Sequence, residues 1–386
     1  MSVGRVALVG AGPGDPALLT VRAAELLRAA DVVAHDELVS ESILALVPVR
    51  AELVAVGRRA GSGDTGHRLH PIVLARALAG HFVVRLKAGD PLVFGRGGEE
   101  ASELAAAGIP FEIVPGISAA LGAASYAGIP LTHREHSAQV VITTGHRADG
   151  GMPPPGTSAG RTLALYMAVH ELATNLGAIV AAGWPPSTPA ALVIAATTPD
   201  QRTIVGTLAT LAAHADCAPS PSAKLPSLVL VGDVVTLRTS LDWRSRLPLH
   251  GRRVIVARTR PGASRVAMAM RTLGADVVEL PHVAVANERG TPPARWPSRV
   301  DLVVLPAAAA ADALYAEAPS HIRAAPAVAI GARTEEAARR LGAFAIVRAV
   351  SGTIEALVAA AERILCASKP STASAHASPA ETGTSP

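Results

Sequence analysis

Apolar residues along this chain fall into short runs that end abruptly in glycine or charge. Runs at 5–9, 31–34, 52–56, 81–86 and 111–114 are rich in Val, Leu, Ala, Ile and Phe, and they read as strands. Helical spacing fills the intervals. Within 18–30, Arg22, Glu25 and Arg28 share one stripe while Leu and Ala occupy the rest. That spacing predicts an amphipathic crossover helix, and strands joined by such helices predict a parallel sheet. A second set of strands is predicted at 139–144, 162–167, 190–196 and 227–231, with the link between the blocks at 133–137. The Gly- and Pro-rich stretch 148–160 predicts a loop. A third set follows at 253–257, 277–280, 301–305 and 327–330, with helices over 264–273 and 334–341. From 367 onward Ser, Thr, Ala and Pro prevail, so burial cannot offset chain entropy and the tail is expected to be disordered.

The ends of the first strands carry the unusual residues. The run 5–9 leads into Gly10-Ala11-Gly12-Pro13-Gly14-Asp15, and 31–34 into His35-Asp36-Glu37. The third leads into Gly57-Arg58-Arg59-Ala60-Gly61, and the fourth into Lys87-Ala88-Gly89-Asp90-Pro91 and then Phe94-Gly95-Arg96-Gly97-Gly98-Glu99-Glu100. The fifth leads into Pro115-Gly116-Ile117-Ser118. Ligands of open parallel sheets bind beyond the carboxyl ends of the strands, so these turns predict one site built from several loops.

Composition narrows the function. At 386 residues two or three domains are expected. Hydrophobic residues make up 49%, enough for large cores, while aromatics at 3% argue against a base-stacking surface. A net charge of +4 without a dense Lys/Arg run suits an anionic small molecule better than nucleic acid. Two cysteines make neither a disulfide framework nor a zinc cluster. With no signal pattern and no long apolar run, the chain reads as a soluble cytoplasmic protein with no membrane partner.

Each motif has a plain and a chemical reading. The first turn resembles a dinucleotide fingerprint, yet Asp15 stands where the third glycine belongs. It also suits a tight strand-to-helix turn, with Asp15 capping the next helix. Asp36 is either a solvated turn carboxylate or a general base at a strand end. Arg58 and Arg59 are surface cations or carboxylate clamps. The charged, glycine-dense segment from Lys87 to Glu100 exceeds what a plain connection needs. Ser118 is a helix cap or a pocket residue. His67 and His70 lack a carboxylate or Cys partner at ligand spacing, so no metal is expected.

These segments resemble those of uroporphyrinogen-III C-methyltransferases, in the tetrapyrrole methyltransferase superfamily. The carriers are the turn from Val9 to Pro16, Asp36-Glu37-Leu38-Val39, Val83 to Pro91, Val93 to Glu100, Val114 to Ala119 and Gly128 to Arg134. Later come Tyr166-Met167, Thr188-Pro189-Ala190, Asp200-Gln201-Arg202, Gly206-Thr207-Leu208 and Val231-Gly232-Asp233. The resemblance implies an α/β fold of two methyltransferase domains, 1–132 and 133–245, with a cleft between them, acting as a homodimer with S-adenosylmethionine as methyl donor. It implies donor contacts from Pro13, Ala88, Gly89, Asp90, Val93, Ser118, Ala119, Met167 and Ala196. The tetrapyrrole substrate, uroporphyrinogen III, is ringed by carboxylates, for which Arg59, Arg85, Lys87, Arg96 and Arg134 are candidates. The implied reaction methylates two pyrrole carbons to give precorrin-2 for cobalamin or sirohaem synthesis. Asp36 falls on the proposed proton acceptor and Arg58 on a proposed proton donor, usually lysine.

Arginine is not deprotonated in proteins, so Arg58 implies either a dispensable donor or an electrostatic clamp. Ala168 and Ala196 stand where glycine is usual. Residues 250–366 resemble, more weakly, part of a uroporphyrinogen-III synthase, on the segments from Val256 to Pro261 and from Ala329 to Thr334. They form a smaller α/β region before the tail 367–386. A two-lobed synthase needs a longer chain, which implies a partial or degenerate domain. Cutting the chain after Leu241 is therefore expected to leave methylation intact. Rival readings are a methylase of a later corrin precursor, a nicotinamide-dependent oxidoreductase and a non-catalytic tetrapyrrole-binding protein.

Overall fold

The computed structural model describes residues 3–56, 69–146, 156–217, 225–258, 264–280, 296–343 and 345–367. They form three lobes, each built on one five-stranded sheet.

The first lobe contains β1 (Arg5–Gly10), α1 (Val21–Ala29), β2 (Val32–His35), α2 (Glu41–Leu44) and β3 (Glu52–Ala55). It continues with α3 (Pro71–Leu78), β4 (Phe82–Lys87), α4 (Gly97–Ala106), β5 (Phe111–Val114) and α5 (Ala119–Ala127). Every strand pair is parallel, in the order β3-β2-β4-β1-β5. The central strands are covered on both faces, which explains their unbroken apolar runs. Each fully buried Val or Leu there contributes about 1.5–3 kcal/mol. The helix expected over 18–30 is divided. Pro16–Leu18 forms a 3-10 turn capped by Asp15, and Thr20 accepts from Ala23 N to start α1.

The second lobe contains β6 (Gln139–Thr144), β7 (Arg161–Tyr166), α6 (Leu172–Ala181), β8 (Pro189–Ile194), β9 (Arg202–Thr207), α7 (Leu211–Cys217), β10 (Ser227–Val231) and α8 (Arg238–Leu241). Its order is β6-β7-β10-β8-β9, parallel only between β6 and β7 and antiparallel elsewhere. One face lies under α6 and α7. The other meets α5 of the first lobe, through Ala120, Ala123, Ala124 and Ala127 against Ala164, Val193 and Leu228. Small side chains on α5 let the two lobes close on each other.

The third lobe contains β11 (Arg253–Ala257), α9 (Arg265–Thr272), β12 (Asp276–Leu280), β13 (Leu302–Leu305), α10 (Ala308–Glu317), α11 (Ser320–Ala324), β14 (Ala327–Ala329), α12 (Ala332–Arg340), β15 (Ile346–Arg348) and α13 (Ile354–Ala367). All its strands are parallel, in the order β12-β11-β13-β14-β15. That is the flavodoxin-like doubly wound order. Apolar clusters cover both faces, with α10 to α12 on one side and α9 and α13 on the other. Most of the expected tail, 368–386, lies outside the described residues. Among the described residues no helix is long and apolar enough to cross a membrane.

Candidate active site

The turns after β1, β4 and β5 are zipped together by backbone contacts. Gly12 and Gly89 form an isolated antiparallel bridge, with N–O distances of 3.1 and 2.9 Å. Ala11 N donates to Lys87 O at 2.7 Å. Gly116 N donates to Asp90 Oδ2 at 3.0 Å, and Leu92 N to Asp90 Oδ1 at 2.8 Å. Only glycine permits this approach. A Cβ on Gly116 would fall 2.2 Å from Gly89 O, and one on Gly10 would fall 2.5 Å from Gly116 Cα.

The same cluster reaches the second lobe. Pro13 lies against α5 at Gly122, where a Cβ would come within 2.5 Å of Pro13 Cγ. Asp15 N donates to Thr197 Oγ1 at 3.0 Å, and a Cβ on Gly14 would fall 3.3 Å from Ala196 O. Ser118 stands at the N-cap of α5, but its side chain makes no capping hydrogen bond. Its hydroxyl pairs with Tyr166 Oη at 2.5 Å, while Ala120 N donates to the same oxygen at 2.8 Å. The Phe94 and Tyr166 rings are 5.0 Å apart. Val93 N donates to Asp90 O at 3.3 Å. These contacts bring Pro13, Ala88, Gly89, Asp90, Val93, Ser118 and Ala196 to the junction of the two lobes, while Ala119 opens α5 and Met167 follows β7. Phe94, Arg96, Met167, Ala195 and Thr197 hold positive φ of 49–68° on the loops around this junction. Such non-glycine strain persists where surrounding contacts enforce it, often at functional sites.

Asp36 follows β2 and is held from several directions. Its N donates to Leu86 O at 3.0 Å, and its Oδ2 accepts from Ala88 N at 3.3 Å. Its Oδ1 pairs with Arg85 Nη2 at 2.5 Å, leaving the side chain 24% exposed. Arg85 and Lys87 stand two apart on β4 and share one face. Both are buried, at 5% and 2% exposure, and both contact Glu100 Oε1, at 3.1 and 2.9 Å. Glu100 sits in the first turn of α4, where the helix dipole favours a carboxylate. Its Oε2 is buried without a hydrogen-bond partner. Burial, with the Arg85 charge beside it, pulls the Lys87 pKa below the usual lysine value, against the pull of Asp36 and Glu100.

Other basic residues are placed differently. Arg96 and Arg134 are exposed and make no ion pair with the described residues. Arg58, Arg59 and His67 lie outside the described residues. His70 caps α3, accepting from Ile72 N at 3.3 Å. The turn from His133 to Ser137 brings ligand atoms of His133, Glu135 and His136 within 4.8 Å of one another, a grouping not read from the sequence. Sequence reasoning also missed Glu100 and Tyr166 as site residues. Both stand in the segments named, the glutamate at the end of the glycine-rich stretch and the tyrosine beside Met167, but were given no role.

A parallel α/β lobe facing a mixed-sheet lobe across a glycine-lined cleft is the architecture of a two-lobed methylase. Residues 5–212 match the family model for Tetrapyrrole (Corrin/Porphyrin) Methylases, and the chain belongs to this family. It is 47% identical over 245 residues to siroheme synthase 2 of Serratia proteamaculans, covering 63% of this chain and 51% of that one. It is 48% identical over 247 residues to a siroheme synthase of Pseudomonas aeruginosa, covering 63% and 52%. The chain thus spans about half the length of the curated relatives it matches. The crystal structure of uroporphyrin III C-methyl transferase from Thermus thermophilus aligns at a TM-score of 0.52 and 39% identity, covering 61% of this chain and all of that one. That protein has also been solved with S-adenyl homocysteine. A cobalt precorrin-4 methyltransferase aligns at 0.51 and 28% identity, covering 60% of this chain and 95% of that one.

Proposed function

We propose that this chain methylates uroporphyrinogen III at two pyrrole carbons, giving precorrin-2 for sirohaem or cobalamin synthesis. One observation carries the reading: the Asp36 carboxylate meets the glycine-zipped turns at Ala88, whose neighbours Lys87 and Gly89 are bonded to Ala11 and Gly12. The residues suit S-adenosylmethionine, since Ala88, Gly89, Ser118, Ala119 and Ala196 are small and the glycine contacts at Gly12–Gly89 and Gly10–Gly116 fix the backbone beside them. When bound, that donor supplies an electrophilic methyl group.

The chain's own residues do the rest. Closure of the lobes aligns the reactants, which can supply about 7–11 kcal/mol at the upper limit. Asp36, partly exposed and fixed by Arg85 and Ala88 N, takes the proton that the macrocycle loses after methyl transfer, since the methylated ring carbon itself becomes quaternary and carries none. Arg85 and Lys87, expected as carboxylate clamps, are engaged with Asp36 and Glu100 and serve as internal counter-charges. Arg96 and Arg134, exposed and without an ion pair among the described residues, bind substrate carboxylates together with Arg59. Arg58 acts as a fixed positive charge, since its guanidinium does not give up a proton. The protein works as a homodimer, and its third lobe is a single-sheet relative of uroporphyrinogen-III synthase.

Anaerobic incubation with uroporphyrinogen III and S-adenosylmethionine, read by mass spectrometry, tests the reading. A gain of two methyl groups is expected. Donor bound without transfer would favour a later corrin precursor, the alternative suggested by the likeness to the precorrin-4 enzyme.

A further inference from the structure

The third lobe makes a contact that this chemistry does not use. Its strands β11 and β12 open on Arg253 and Asp276, which are 7% and 3% exposed. These charged amino ends face α2 of the first lobe. Arg253 Nε meets Asp276 Oδ2 at 2.7 Å, and the same oxygen accepts from Ser42 Oγ at 2.8 Å. Ser42 is 1% exposed. Next to it, Glu41 Oε2 accepts from Ser298 N at 3.0 Å and from Ser298 Oγ at 2.5 Å, and lies 3.6 Å from Arg253 Nη1. Ala45 belongs to the apolar cluster of the third lobe, with Val278, Leu280 and Tyr315.

The other side of α2 packs into the first lobe, with Ile43 and Leu44 in its apolar core beside Val9 and Leu26, and the start of the helix touches the glycine turn. Ser40 caps this helix by accepting from Ile43 N, and its hydroxyl donates to Gly14 O, in the glycine turn, at 2.5 Å. The Asp36 loop enters α2 directly, closed by Val39 N donating to Asp36 O at 3.2 Å. A four-residue helix has no stability of its own, so its position comes from what it is packed against.

We propose that the third lobe is a brace for the methyl-transfer cleft. Ser42 and Glu41 are positioning residues. Anchored by Asp276, Arg253 and Ser298, they hold α2, and α2 holds the Gly14 turn and the Asp36 loop. The anchor behaves as made or broken, because a buried charge that loses its partner is strongly penalised. It also lies at the amino ends of the third sheet, away from the carboxyl-end crevice where open sheets take ligands. A chain cut after Leu241 loses Arg253, Asp276 and Ser298 together. The expectation that such a fragment methylates normally is replaced by one of a weakened donor site.

The proposal rests on the methyltransferase reading only for what the cleft does, and its test needs no turnover. Coupling between two sites is reciprocal. In the full-length protein, S-adenosylhomocysteine is expected to slow hydrogen exchange in the cleft, in α2 and at the start of β12. Ser42→Ala removes one hydrogen bond to a buried carboxylate and keeps the Arg253–Asp276 pair. It is expected to weaken S-adenosylhomocysteine binding about threefold to tenfold and to speed exchange of the α2 amides, at a temperature well below melting. Glu41→Gln, the milder change, is expected to act in the same direction if Ser42→Ala folds poorly. A merely structural role would leave donor affinity unchanged at that temperature. Protection confined to the cleft, with wild-type donor affinity in the variants, overturns the proposal. Donor binding without methyl transfer counts against the reaction reading and leaves the brace standing.

Discussion

The first and third sheets share a five-stranded parallel plan but hold their buried charges at opposite ends. In the first, Arg85 and Lys87 occupy the carboxyl end of β4, Asp36 follows β2, and glycine turns interlock beside them. In the third, Arg253 and Asp276 are the opening residues of β11 and β12. One end of such a sheet forms the ligand crevice and the other does not. The same kind of buried ion pair therefore lies beside the proposed methyl-transfer site in one lobe and at the contact with α2 in the other. Architecture alone would have predicted two similar sites, and the position of the charges separates them.

Perturbing each end should sharpen the contrast, and the chemical end should respond most. Asp36→Asn is expected to lower turnover by about 10²–10⁴-fold while S-adenosylhomocysteine still binds. Rate and binding measured on one sample check this, and full turnover would remove Asp36 as the base. Glu100→Ala strips Arg85 and Lys87 of their shared counter-charge and is expected to cost about 3–5 kcal/mol of stability. A urea titration reads that loss. Asp276→Ala, at the opposite end of its own sheet, should cost somewhat less, because Arg253 loses its nearer carboxylate but keeps Glu41 at 3.6 Å. Arg96→Ala should separate binding from stability. With no ion-pair partner among the described residues, its folding free energy should stay within about 0.5 kcal/mol of wild type. Loss of a charged hydrogen bond worth about 1.5–3 kcal/mol should cut kcat/KM for the macrocycle at least about tenfold. Unchanged kinetics would remove Arg96 from the substrate site.

The features legible without the structure were those set by burial and by local spacing. The strands of the first sheet were legible because central parallel strands are continuous apolar runs. The half-exposed β9 and the three-residue β15 lack that signal and were missed. The strand expected to run to 196 ends at Ile194 because Ala195 turns to φ 49°. The glycine turns were legible because their spacing is local. The roles of Arg85 and Lys87 were not, since their partner Glu100 lies 15 and 13 positions away and only the packing of α4 on β4 joins them. Ser42 and Asp276 are 234 positions apart, and nothing in either neighbourhood announces the pairing.

The smallest expected effect runs between the two kinds of charge. Asp15, just beyond β1, is 9% exposed, and its carboxylate accepts from Ala17 N at 2.8 Å and from Tyr126 Oη at 2.9 Å. Burial raises its pKa above the ordinary 3.8, the negative charge of Asp276 adds to the rise, and the two hydrogen bonds and Arg244 oppose it. A carboxyl with a raised folded pKa binds protons more readily in the folded chain. Between that pKa and 3.8, stability therefore increases as pH falls. At neutral pH the ionised group is a net cost. Asp15→Asn keeps an acceptor for Ala17 N and a partner for Tyr126, and it removes the titration. The variant should gain stability over wild type at neutral pH, with the gain shrinking on acidification through the raised value. Urea midpoints across that range check the sign. In an Asp276→Asn background the pH at which the gain shrinks should move down toward 3.8. A window that stays in place would mean that the docking charge of the third lobe is not felt at the donor turn, even where the two ends of the sheets face each other.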